Sequence, residues 1–147
     1  MAEHGRGVTT SADRILASTL ESVDRAEELV LDLLTRAGVE EEQLHQLGMA
    51  VRESMVNAVV HGNRYNPDKQ VRLAVSVEPA RVTIRISDQG EGFDPASLPN
   101  PLAPENLLRE SGRGILLIQA FVDEFSVRRL QPAGVEVTLV KHLSPGS

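Results

Sequence analysis

Glu53, Asn57 and His61 lie four apart in "MAVRESMVNAVVHGN", residues 49–63, a stretch otherwise rich in Val, Met and Ala. On a helix such residues stack on one face, so the three share a polar stripe able to converge on one ligand. A carboxylate beside a carboxamide suits two tasks. The amide oxygen can ligate a hard cation such as Mg2+, and the acid can orient or deprotonate a nearby hydroxyl or water. The same spacing also suits a satisfied buried network or a solvated edge, so E-x-x-x-N alone has little specificity. His61 reads as a capping or packing group rather than a catalytic one.

Two further motifs carry chemistry. "DQGEGFD", residues 88–94, follows a strand-like run directly. An aspartate at a strand exit accepts hydrogen bonds, as from the exocyclic amine of a purine, and Gly90 and Gly92 let the backbone approach a ligand closely. A plain Asx turn would look the same. "SGRGI", residues 111–115, puts Gly112 and Gly114 just before a helical pattern, where free amides form an anion site suited to phosphate oxygens. A tight helix-entry turn is the alternative. Neither is a common nucleotide signature. There is no G-x-x-x-x-G-K-[ST], and Pro95 sits where a G-x-G-x-x-G beginning at Gly90 needs its third glycine.

The elements that must position these motifs follow from periodicity. Residues 1–12 are polar and Gly-containing and read as a loose arm, with Ile15, Ala17 and Thr19 forming a short strand. In "ESVDRAEELVLDLLTRAG" Val23, Ala26, Val30, Leu33, Leu34 and Ala37 recur at helical spacing, and Gly38 supplies a stop. A second helix starts near Glu40, its acids favoured at the positive end, and runs through Leu44, Leu47, Val51, Met55, Ala58 and Val59 to Gly62. Met49 and Met55 are read as core. "QVRLAVSVE" and "RVTIRISD" alternate as a hairpin around Pro79 and Ala80. Residues 93–112 hold four of the eight prolines, and an irregular stretch of that length is usually functional or mobile. A helix from Gly114 to about Val122 and a closing hairpin, "FSVRRL" and "GVEVTLVK", complete the pattern.

Bulk properties narrow the function classes. At 147 residues the chain fits one domain, 1–147, with a real core. A net charge of -6 argues against nucleic acid and anionic membranes as partners. No apolar run approaches the ~20 residues of a membrane-spanning helix. The absence of cysteine rules out a disulfide frame or thiolate metal site, and with no signal-like start a cytoplasmic location is expected. With aromatics at 3%, aliphatic side chains must build the core.

Taken as a set, "ESMVNAVVHGN", "ISDQGEGFDP" and "NLLRESGRGILLIQAFVDEF" resemble the nucleotide pocket of the ATP-binding superfamily that includes DNA gyrase, heat-shock chaperone ATPases and histidine kinases. Within it the chain looks most like the bacterial anti-sigma factors that are also serine-protein kinases, over about Ile15 to Lys141. The resemblance implies a Bergerat-type α/β (α+β) two-layer sandwich, with a mixed, mainly antiparallel sheet of four to five strands covered on one face by helices. It implies ATP and Mg2+ as cofactors. By position, Glu53 matches the catalytic acid that activates a partner's serine hydroxyl, and Asn57 the amide holding Mg2+ against the phosphates. Asp88 matches the adenine-reading aspartate, with Gly90 and Gly92 giving base and ribose room. Ser111, Gly112, Arg113 and Gly114 match the second glycine box around the phosphates, and residues 94–111 the lid above them. The implied partners are a sigma factor, an anti-anti-sigma protein of STAS type and a second copy of the chain.

Two departures from that pattern stand out. Relatives that place an arginine directly before the S-G pair have Glu110 here, which leaves Arg109 or Arg113 to contact the terminal phosphate. A threonine often follows the glycine of the last hairpin, and here Val135 follows Gly134. Three functions fit: a kinase that sequesters a sigma factor, a nucleotide-binding regulator without phosphotransfer, and a stand-alone histidine-kinase-like catalytic domain. Keeping Glu53 favours the first, since a binder needs only Asn57 and Asp88. The third suits the chain least, because no upstream hairpin bearing a phospho-accepting histidine precedes the pocket and His45 shares a helix with Glu53.

Overall fold

Alternation of aliphatic and polar residues sets the sheet. In the computed structural model, which describes residues 10–90 and 113–143, Val71, Leu73, Val75 and Val77 of β2 (Gln70–Glu78) are buried, and so are Val82, Ile84 and Ile86 of β3 (Arg81–Ser87). The intervening Arg72, Arg81 and Arg85 are exposed, as a half-buried strand requires. With β1 (Thr10–Ala17), β4 (Glu124–Arg129) and β5 (Val135–His142), these form one five-stranded sheet in the order β1-β2-β3-β5-β4. The expected mainly antiparallel sheet of four to five strands is found with five, and every pairing among the described residues is antiparallel, with no parallel pair to make it mixed. Both hairpins use short connections, which favour antiparallel neighbours.

Among the described residues three α-helices supply the second layer: α1 (Leu20–Arg36), α2 (Glu41–Val56) and α3 (Arg113–Phe121). Thr19 is the N-cap of α1, its hydroxyl accepting the Ser22 N–H at 3.3 Å, and not the end of the strand expected around it. Gly38, at φ +83°, takes the left-handed conformation just past the helix end. Val23, Ala26, Val30 and Leu34 of α1 join Leu47, Val51 and Met55 of α2 and Ile115 and Ile118 of α3 over the aliphatic sheet face, in one core. Met49 is only half-buried. Burying each such Leu, Ile or Val is worth roughly 1.5–3 kcal/mol, so this layer contact supplies most of the driving force.

Two element boundaries differ from the sequence expectation. Thr10, Ser11 and Ala12, assigned to the arm, belong to β1, which pairs in full from Thr10 with Val77 to Ala17 with Gln70. More consequentially, the second helix does not stay α-helical to its end. Asn57–Gly62 is a π-helical segment continuing α2 directly, closed by the Asn63 N–H donating to the Ala58 carbonyl at 2.8 Å and the Tyr65 N–H to Val59 at 3.0 Å. Arg64 and Tyr65, at φ 52° and 60°, then turn the chain away.

Candidate active site

The wider π turn changes what the Glu53 stripe can present. Glu53 and Asn57 remain one α-helical turn apart, the Asn57 N–H bonding the Glu53 and Ser54 carbonyls, and both are half-buried. His61 lies inside the π-helical segment and is exposed. The expected three-residue stripe is therefore a pair, Glu53 and Asn57, because the i, i+4 register holds only while the helix is α. Arg52 points its guanidinium back to α1, meeting Asp24 at 2.8 Å and Glu27 at 2.7 Å, and so locks this turn of α2 in rotation.

The far end of the π-helical segment meets the exit of β3. Asp88 is 8% exposed, one residue beyond β3. Its Oδ1 accepts the Gly90 N–H at 3.0 Å and the Val135 N–H at 3.2 Å, while its own N–H donates to the Val135 carbonyl at 3.0 Å. Among the described residues no donor reaches Oδ2, which faces Gly62. Burial raises the Asp88 pKa above the usual carboxylate value, against the lowering effect of the Gly90 and Val135 N–H groups and of Lys69. Among the described residues the carboxylate is thus bonded at Oδ1 alone.

Glycines make this approach possible. A Cβ at Gly62 would collide with the Asp88 carboxylate, one at Gly90 with the Gly62 carbonyl, and one at Gly134 with the Asp88 carbonyl. Gly134 also sits at φ +110°, a conformation side chains rarely adopt. The Val135 contact comes from its main chain, so it is made whatever side chain follows Gly134.

α3, which opens with Arg113 and Gly114, packs along α2. The structure thus brings the second glycine box's helix against the Glu53 helix, and Gly62 against Asp88 and Gly90. Gly92, Arg109, Ser111, Gly112 and the expected lid, residues 94–111, lie outside the described residues. Among the described residues, no group of three His, Asp or Glu side chains could by itself hold a metal ion. No described helix is long and apolar enough to cross a membrane.

One buried polar residue beside the candidate site was not singled out from the sequence. Asn63, 2% exposed, bonds the Gln89 N–H through Oδ1 and donates from Nδ2 to Ser18 and Gln70. Its only sequence signal is an Asn just after a helix-ending Gly, which equally marks an ordinary turn.

Known proteins resemble this chain in sequence and in fold. The family model described as the histidine kinase-like ATPase domain matches residues 16–141. A serine-protein kinase RsbW of Staphylococcus epidermidis is 32% identical over 118 residues, covering 76% of this chain and 73% of the relative. An anti-sigma F factor of Bacillus cytotoxicus is 34% identical over 107 residues, covering 70% and 72%. A crystal structure of the RsbU and RsbW domains of a Mycobacterium tuberculosis protein superposes with a TM-score of 0.61 at 18% identity, over 94% of this chain and 34% of that one, and shares its fold. The chain belongs to the histidine kinase-like ATPase domain family, alongside the RsbW serine-protein kinases and anti-sigma F factors.

Proposed function

We infer that this protein is an ATP-dependent protein serine kinase that also acts as an anti-sigma factor. The observation that carries the nucleotide reading is Asp88: a buried carboxylate whose Oδ1 is loaded with two N–H groups and whose Oδ2 faces Gly62. That chemistry fits an adenine, whose exocyclic amine donates where a guanine presents a carbonyl. Asn57 alone cannot hold a cation, since Mg2+ takes near-octahedral oxygen ligation, but one carboxamide oxygen fits Mg2+ that arrives on phosphates. When bound, Mg-ATP supplies the phosphoryl group and the charge that neutralises it.

The chain's own residues then have four tasks. Asp88, Gly90 and Gly92 orient the base and ribose. Ser111, Gly112, Arg113 and Gly114 hold phosphate oxygens at the start of α3, with Arg109 or Arg113 on the terminal one. Asn57 fixes the metal. Glu53 takes the proton of a serine hydroxyl on the anti-anti-sigma partner as that oxygen bonds to phosphorus and the bridging oxygen leaves with ADP. Positioning and charge neutralisation supply most of the rate, so one base, one amide and a set of backbone N–H groups suffice. The protein works as a homodimer in this reading, sequestering a sigma factor and releasing it through its STAS-type partner.

Incubation with labelled ATP and the candidate partner tests the assignment. Glu53→Ala binds Mg-ATP as the parent does, at about micromolar to submillimolar affinity, and transfers no label. Equal labelling by parent and Glu53→Ala removes Glu53 from the mechanism.

A further inference from the structure

Asn63 closes a ring of hydrogen bonds directly behind Asp88. Its Oδ1 accepts the Gln89 N–H at 2.8 Å, and its Nδ2 donates to the Gln70 carbonyl at 3.0 Å and to Ser18 Oγ at 2.8 Å. The Gln70 N–H in turn donates to Gln89 Oε1 at 2.6 Å, and Ser18 Oγ donates to the Lys69 carbonyl at 2.6 Å. A single buried carboxamide thus ties the β1–α1 junction and the start of β2 to the peptide that follows Asp88. It does so from the residue next to the π-helical segment, which begins at Asn57.

We propose that Asn63 is a positioning residue for the nucleotide: by holding the Gln89 peptide it fixes the Asp88 carboxylate against the helix that carries Asn57. The span between the base end and the phosphate end of the pocket is then set by one side chain. This rests on the reading of Asp88 as the adenine acceptor. The Gly90 and Val135 N–H groups hold Asp88 Oδ1 directly, and the Gln89 N–H to Asn63 bond fixes the peptide between Asp88 and Gly90, so Asn63 acts on the carboxylate through the backbone. A fixed acceptor accepts an amine and rejects a carbonyl, so its loss lowers discrimination as well as affinity.

A merely structural Asn63 would change stability and leave base preference alone. The test titrates Mg-ATP and Mg-GTP into the parent, Asn63→Ala, Ser18→Ala and Asp88→Asn proteins, with thermal denaturation of each. Asn63→Ala loses at least about tenfold in ATP affinity, the effect of one buried hydrogen bond, and most of its preference for ATP over GTP. Ser18→Ala, which cuts the opposite arm of the same carboxamide, lowers the melting temperature and keeps the preference. An Asn63→Ala protein that melts earlier but still prefers ATP as the parent does overturns the proposal. Should that variant not fold, hydrogen exchange in the parent decides. In the parent itself, Mg-ATP slows hydrogen exchange of the Gln89 and Gln70 amides while Mg-GTP does not, and equal protection by both contradicts the proposal. Undiminished ATP binding by Asp88→Asn sinks the base reading itself. Loss there with parent-like Asn63→Ala sinks only the role of Asn63.

Discussion

The two ends of the rod formed by α2 and its π-helical continuation are built on opposite plans. At the Gly62 end the chain segments approach closely: Gly62 abuts the Asp88 carboxylate, Gly90 abuts Gly62, and Asn63 makes three hydrogen bonds. At the Glu53 end, the two polar side chains are half-buried, and neither hydrogen-bonds another described residue. The difference separates recognition from chemistry. A base reader gains from a rigid, preorganised acceptor. In the proposed reading a proton acceptor and a metal-holding amide take partners that arrive with the ligand, which fits two side chains with no hydrogen bond to another described residue.

Substitution at the rigid end breaks the contrast most severely. Gly62→Ala puts a methyl group against Asp88 Oδ2, while the Gly90 and Val135 N–H groups hold Oδ1 in place. We expect a destabilisation of about 1–3 kcal/mol from overpacking, read by denaturant melts, together with a loss of Mg-ATP binding by calorimetry. Parent-like affinity in that variant would show the close approach to be incidental. At the open end, Asn57→Ala should leave the fold within about 0.5 kcal/mol of the parent, as for other positions outside the core. It weakens nucleotide binding only when Mg2+ is present, and equal weakening in excess chelator contradicts metal ligation. The smallest effect is on stability against pH. Because the folded-state pKa of Asp88 is raised above its unfolded value, protonation favours the fold. That contribution is full below the unfolded value near 3.8 and is lost as pH rises through the folded value. Subtracting the Asp88→Asn melting profile from the parent's isolates this slope, and a difference of opposite sign would mean that the carboxylate is stabilised rather than strained by its surroundings.

The same contrast decides how much was legible in the sequence. The β2–β3 hairpin was readable because Val71, Leu73, Val75 and Val77 alternate strictly with polar residues, and α1 because its apolar spacing ends at Gly38. Glu53 and Asn57 were readable because they lie on one α-helical face, which needs only local geometry. β1 was only partly readable: it is an edge strand with a mostly exposed surface, so Thr10 to Ala12 carry no apolar alternation. The π-helical segment has no compositional mark, since an extra residue per turn changes hydrogen-bond partners and not residue types. Asn63 was hidden for a different reason. Its partners Ser18 and Gln89 are 45 and 26 residues away in sequence, and only the sheet brings them together.

Calorimetric titration of Mg-ATP into the parent and Asp88→Asn proteins bears most directly on the claim that this pocket reads an adenine nucleotide through one buried carboxylate. The account predicts a single site per chain in the parent and at least about a hundredfold loss in Asp88→Asn, with the variant's melting temperature at neutral pH equal to or above the parent's. Equal affinity in the two proteins, or no binding by the parent at millimolar nucleotide, would contradict it.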